Sequence, residues 1–181
     1  MSSQPLSHHD HELIAQFRKG DADAFVILME RHQDRVYRLA CVFLHRLDDA
    51  ADVVQEVFIR AYKSLQRFFF RAQLSTWLYQ TTRNVCSEFN RRTPPTAEPD
   101  LLQAGPDCPH TELESTRRML RIRCALTVLS ERQRSVVVLR YFESLSTAET
   151  ARMLGCREGT VKATLHQAMK VLKSRLTTFE E

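Results

Sequence analysis

The sequence predicts an all-α protein built from two small helical units joined by a linker. Three observations carry that expectation. Apolar residues recur at helical spacing through most of the 181 residues, without the alternation of strands. Pro94, Pro95, Pro99, Pro106 and Pro109 crowd one segment, where they remove helical hydrogen bonds and favour extended backbone. Residues 146–165 read as a helix, a glycine turn and a second helix. The expected organisation is a first unit over 10–93, a flexible proline-rich linker over 94–110 and a second unit over 111–178.

Four helices are expected in the first unit. The first, about 10–19, is ended by Gly20, and the second, about 22–46, starts after Asp21. The second packs through Phe25, Leu28, Met29, Val36, Leu39, Ala40, Phe43 and Leu47. A third, about 49–67, is entered through Asp48, and a fourth covers about 75–92. In the third helix, Val53, Val57 and Ala61 with Val54, Phe58 and Leu65 fall at the spacing of a buried face. Asp52, Gln55, Glu56 and Ile59 form a stripe at i, i+3, i+4 and i+7 on the outside. Such a stripe is either an ordinary solvated face or a docking surface for a basic helix, and spacing alone favours the former.

The segment Arg67-Phe-Phe-Phe-Arg-Ala-Gln-Leu-Ser-Thr-Trp-Leu-Tyr79 places three consecutive phenylalanines between arginines. One helix cannot bury all three. Aromatic and cationic side chains interleaved on a loop suit unstacked bases, through stacking and phosphate pairing. The alternative is that Phe68, Trp77 and Tyr79 are core and only one phenylalanine is exposed. Residue order alone leaves both open.

In the second unit, Thr111-x-x-Glu114 and Ser130-x-x-Gln133 are capping boxes that open helices near 112–129 and 131–143. Ser146-x-x-Glu149 is a third, so the next helix should start at Thr147. Ala151 permits close helix approach, and Gly155 supplies the positive φ that follows a helix end. Val161 and Leu165 give the last helix, running to about Leu176, an inward face. The pattern is that of a helix-turn-helix, whose second helix fits the DNA major groove. A plain αα-hairpin with a glycine turn would share it.

Charge is distributed unevenly. Residues 94–115 carry five acids and no Lys or Arg, whereas residues 116–181 carry 13 Lys/Arg against six Asp/Glu. A basic terminal unit suits phosphate contact. The polar start of the chain, with no apolar signal segment, and five scattered cysteines without a CxxC point to a reducing, cytoplasmic setting. A helical-bundle metalloenzyme using His8, His9, His11, His32 or His45 is a rival that is not expected, because His8-His9-Asp10-His11 falls in a tail expected to be disordered and no Glu-x-x-His pairs recur on facing helices. No nucleophile–base arrangement and no Gly-rich phosphate loop argues for an enzyme; a cofactor or small-molecule substrate is not expected. A two-domain regulator that binds duplex operators unaided is the competing DNA-binding reading.

Taken in order, these pieces resemble a bacterial sigma factor of the sigma-70 superfamily, in its extracytoplasmic-function (ECF) group. Asp52-Val-Val-Gln-Glu-Val-Phe-Ile-Arg-Ala-Tyr62 resembles region 2.2, and Thr76-Trp-Leu-Tyr79 with Arg83-Asn84 resembles regions 2.3–2.4. Leu129-Ser130, then Leu139-Arg-Tyr-Phe-Glu-Ser-Leu-Ser146 and Leu154-Gly-Cys-Arg-Glu-Gly-Thr-Val-Lys162, resemble region 4.

The resemblance implies roles for each surface. Asp52, Gln55, Glu56 and Ile59 would bind core RNA polymerase. Ser64, Phe68, Phe69, Phe70, Arg71, Ala72 and Gln73, with Asn84, would capture a flipped base of the −10 element of promoter DNA. Arg157, Thr160, Lys162, Ala163, His166, Gln167 and Lys170 would read the −35 element. Many members are held inactive by an anti-sigma factor, often a membrane protein, that wedges between the two units. Two departures stand out. Phe69, Phe70 and Arg71 replace the family's usual Gly and acidic residue, and Ala163-Thr164 with Gln167 and Met169 thin the usual arginines.

Overall fold

The computed structural model describes residues 6–66, 74–92 and 121–177, and every described element is helical. The chain divides into two compact units, Met1–Gln103 and Ala104–Glu181. The linker expected at 94–110 and the capping box at Thr111–Glu114 lie outside the described residues.

Four helices make the first unit: α1 (Leu6–Arg18), α2 (Ala22–Phe43), α3 (Ala50–Leu65) and α4 (Leu74–Arg92). At the end of α1 the Asp21 N–H reaches the Gln16 carbonyl at 3.2 Å and the Gly20 N–H reaches that of Phe17 at 3.0 Å. This paired closure needs left-handed backbone, which Gly20 supplies at φ +103°. Asp21 then caps α2 by accepting the N–H groups of Asp23 and Ala24.

The expected disordered tail is corrected here. The helix already starts at Leu6, and Asp10 is buried at 4% exposure. Its carboxylate bonds Arg31 at 2.8 Å and His32 at 3.0 Å, both on α2. A charge-assisted pair offsets the cost of burying the carboxylate and ties the polar helix down.

α2 is shorter than expected because Leu44 turns extended (φ −75°, ψ 147°). Asn90 of α4 fixes that exit, its amide donating to the Phe43 carbonyl at 2.9 Å while its oxygen accepts the His45 N–H at 2.8 Å. A 3-10 turn, Leu47–Asp49, leads into α3. The core is closed by Val36, Ala40, Val53, Val57, Leu78, Tyr79 and Val85, each at most 1% exposed. Phe17, Phe25, Phe58 and Tyr62 add an aromatic cluster across α1, α2 and α3, with neighbouring ring centroids 5.0–6.5 Å apart. Phe25, Met29, Leu47 and Val54 are half-buried, as is Trp77, whereas Tyr79 is core.

The second unit contains α5 (described over residues 121–127), α6 (Glu131–Val137), α7 (Thr147–Leu154) and α8 (Glu158–Thr177). Arg134 of α6 donates to the carbonyls of Leu126, Thr127 and Leu129, gathering the exposed carbonyl end of α5. The Ser130/Gln133 and Ser146/Glu149 capping boxes both form, and α7 starts at Thr147 as expected. The helix expected over 131–143 changes character midway: Val138–Phe142 is a single π turn. It keeps Val138 and Leu139 fully buried and leaves Tyr141 and Phe142 exposed.

Candidate functional site

Two surfaces deserve the name of site, one on each unit. On α3 the buried side is Val53, Val57, Phe58, Ala61 and Leu65. Opposite lie Asp52, Gln55 and Ile59, all exposed, so the predicted stripe does share one face. An isoleucine 41% exposed between acids is apolar surface left bare by the core. Glu56 is only half-buried, with side-chain exposure of 35%. Its Oε1 accepts from Arg60 Nε at 2.7 Å, and Arg60 in turn grips both oxygens of Glu88 on α4, at 3.0 and 2.7 Å.

This three-member network was missed by sequence reasoning. The Glu56/Arg60 spacing of four was visible, but Glu88 lies 28 residues beyond Arg60 and nothing in the sequence pairs them. Its electrostatics are one-sided. The hydrogen bonds from Arg60 hold the Glu88 carboxyl below the usual range, against the opposing effect of burial and with help from Arg91 and Arg92. The same bonds, Glu88 first and then Glu56, push the Arg60 guanidinium upward.

Ser64 lies half-buried on the last turn of α3, and Asn84 is exposed on α4. Phe68, Phe69, Phe70, Arg71, Ala72 and Gln73 lie outside the described residues. The stem before them is anchored, because Arg18 Nε donates to the Leu65 carbonyl at 3.0 Å. Leu74, the first residue of α4, is buried on the other side.

The second surface is the helix-turn-helix. Gly155 sits at φ +61°, ψ 39°, with the Cys156 N–H on Ala151 O at 3.0 Å. Val136, Ala151 and Val161 form the buried core of the motif, and Leu154, Cys156 and Leu165 pack against it. Thr150 occupies an inward position that usually suits an apolar side chain. It is fully buried because its hydroxyl donates to the Ser146 carbonyl at 2.9 Å, which satisfies the polar group locally.

With Val161 and Ala168 buried, α8 turns Lys162, Ala163, His166, Gln167 and Lys170 to solvent, and all five are exposed. Arg157, also exposed, precedes the helix and accepts its first bonds, from the N–H groups of Thr160 and Val161. Thr160 is half-buried, so less of it is offered than of Arg157. Gly159 is helical, and a Cβ added there would meet nothing within 4 Å. The fold therefore does not require glycine at that point. Among the described residues no cluster of three His, Cys, Asp or Glu could hold a metal ion, and no helix is long and apolar enough to cross a membrane.

Comparison with known proteins finds a family match in each unit. Residues 28–93 match the family described as Sigma-70 region 2, and residues 119–172 match Sigma-70, region 4. The chain is similar to the ECF RNA polymerase sigma factor SigW of Bacillus subtilis, 30% identical over 176 residues, covering 90% of this chain and 94% of that protein. It is similar also to the RNA polymerase sigma-H factor of Pseudomonas aeruginosa, 33% identical over 181 residues, covering 92% and 93%. Among solved structures, CnrH in complex with the cytosolic domain of CnrY superposes with TM-score 0.70 at 25% identity, covering 94% of this chain and 98% of that one. The sigma factor RpoE from Bartonella quintana, solved with the anti-sigma factor NepR, shares the fold at TM-score 0.65 and 23% identity, covering 84% and 96%.

Proposed function

The chain belongs to the ECF group of RNA polymerase sigma factors, and from that premise we propose how its two surfaces divide the work of starting transcription. Residues 10–93 bind core RNA polymerase and act on the −10 element. Residues 94–110 serve as the linker, and residues 111–178 read the −35 element. One combination supports this best: a single chain carries an exposed acidic–apolar stripe on α3 and an exposed basic–polar face on α8.

On the first unit, Asp52, Gln55, Glu56 and Ile59 suit a partner helix that brings cations around an apolar patch. On the second, Lys162 and Lys170 pair with phosphates, and Arg157 meets the backbone where α8 begins. His166 and Gln167 reach base edges, with Ala163 allowing close approach. Ser64, Phe68, Phe69, Phe70, Arg71, Ala72 and Gln73, with Asn84, take up the −10 strand once it unpairs. Unstacking one base costs a few kcal/mol, which binding of the freed base offsets, so melting requires no nucleotide hydrolysis. Nothing in this scheme asks the chain for a catalytic step. The protein acts in the cytoplasm, where the polymerase is.

An anti-sigma factor is the natural antagonist. CnrH was solved bound to the cytosolic domain of CnrY, which supports a comparable protein partner for this chain. Such a partner competes with polymerase for the α3 stripe.

Reconstituted transcription tests the reading. Core RNA polymerase plus this protein, on a promoter library, yields a defined set of start sites. Transcripts no more abundant than with core alone would sink it, as would tight, specific binding of duplex operators by the free protein without polymerase.

A further inference from the structure

The Glu56–Arg60–Glu88 network has an unequal geometry. Arg60 spends its NH1 and NH2 groups on the two oxygens of Glu88, and only its Nε on Glu56. One carboxylate is therefore held by a fork and the other by a single bond. Glu56 bonds through Oε1, and among the described residues no hydrogen bond reaches its Oε2. All three side chains are about one-third exposed, at 35%, 36% and 30% for Glu56, Arg60 and Glu88, so the network lies at the surface beside Asp52, Gln55 and Ile59.

We propose that Arg60, locked by Glu88 of α4, is a positioning residue for polymerase docking that orients Glu56 and keeps its second oxygen available to the partner. The inference rests on the assignment of Glu56 to the polymerase-binding stripe. Its physical basis is competition within one guanidinium. Arg60 has five N–H donors in a rigid fork. While Glu88 holds the fork, Glu56 receives a single bond and stays oriented yet half free. Without the Glu88 charge, the fork turns to Glu56, four residues back on the same helix, and closes over both of its oxygens. Glu56 is then neutralised from within the chain before a partner cation arrives. α4 thus conditions a binding residue of α3 without touching the partner.

The test is a double-mutant cycle on affinity for cognate core RNA polymerase, using the full chain. The variants are Glu88→Gln, Glu56→Gln and the pair, with helical circular dichroism to verify folding. Glu88→Gln is expected to weaken core binding roughly three- to fivefold, the scale of a surface charge interaction. In the Glu56→Gln background the same change is expected to have no further effect, because Glu88 acts through Glu56. A loss from Glu88→Gln that persists undiminished without Glu56 would mark a merely structural role and overturn the proposal. So would unchanged affinity for Glu88→Gln while Glu56→Gln binds weakly; the docking stripe would then stand. Unchanged affinity for Glu56→Gln would overturn the stripe assignment itself, and the proposal with it. If Glu88→Gln loses helix content, Arg60→Gln in the two Glu56 backgrounds decides, with the same non-additivity expected and additive losses overturning the proposal.

Discussion

The carboxylate of Asp10, near the start of α1, accepts the Nε2 proton of His32 on α2 at 3.0 Å, and both side chains are buried. Burial pushes the Asp10 carboxyl up, but the hydrogen bonds and charges of His32 and Arg31 outweigh it and leave the group below its ordinary value. A carboxylate only accepts, so His32 carries its proton on Nε2. Because the folded-state value is depressed, the contribution is fully present above the unfolded value, near 3.9, and is lost as pH falls through the folded one. Asp10→Asn is expected to lower the stability of the first unit by about 1–3 kcal/mol at neutral pH. The gap should begin to narrow below about pH 4 and close only once pH has fallen through the depressed folded-state value. Urea melts at pH 7 and pH 3 check it; an equal gap at both would refute the charge-based account.

Asp52→Arg reverses an exposed charge on α3, away from the buried Val53 and Val57. Core polymerase affinity is expected to drop at least tenfold, while the thermal midpoint shifts little, since surface changes usually stay within about 0.5 kcal/mol. Competition binding against a labelled reference sigma factor measures the first, and differential scanning fluorimetry the second.

Two glycine-to-alanine changes should act with opposite sign. Gly155 has positive φ and an open surround, so Gly155→Ala meets only backbone strain and should cost about 1–2 kcal/mol. Gly159 is helical and equally open, so Gly159→Ala should stabilise by about 0.4–1 kcal/mol. If −35 DNA affinity nevertheless falls in Gly159→Ala, the start of α8 lies against the DNA backbone. Thermal melts and filter binding separate the two effects.

On α8, charge and shape should separate by salt. Lys170→Ala is expected to weaken holoenzyme binding on all promoters alike and to reduce the slope of log K against log salt by about 0.9. Gln167→Ala should leave that slope unchanged and alter sequence preference at about one base pair. Titrations across salt on matched and single-substituted −35 sequences check both.

The parts of this protein written in local code were legible beforehand. Capping boxes at Ser130 and Ser146, the glycine turn at Gly155 and the two faces of α3 all depend on residues within a few positions of one another. What was not legible is held by contacts between distant residues. The tail expected to be disordered is ordered through Asp10 meeting His32, and α2 stops early because Asn90, 47 residues on, takes the Phe43 carbonyl. The π turn at Val138–Phe142 has no local mark either, since its residues would equally continue an α-helix. The docking role proposed for the Asp52–Ile59 stripe comes from the family resemblance, because by spacing such a stripe looks the same whether or not anything docks on it.

Trp77, half-buried on α4, is the chain's single tryptophan, and Tyr141 is the second unit's single tyrosine. The molecule therefore carries an optical label on one unit alone. Emission excited at the red edge of the absorption band follows unfolding of the first unit, while helical circular dichroism sums over both. Where the two traces coincide, the units melt as one; where they part, the difference spectrum belongs to the helix-turn-helix. The stability of each half can be measured on the intact chain, without cutting it.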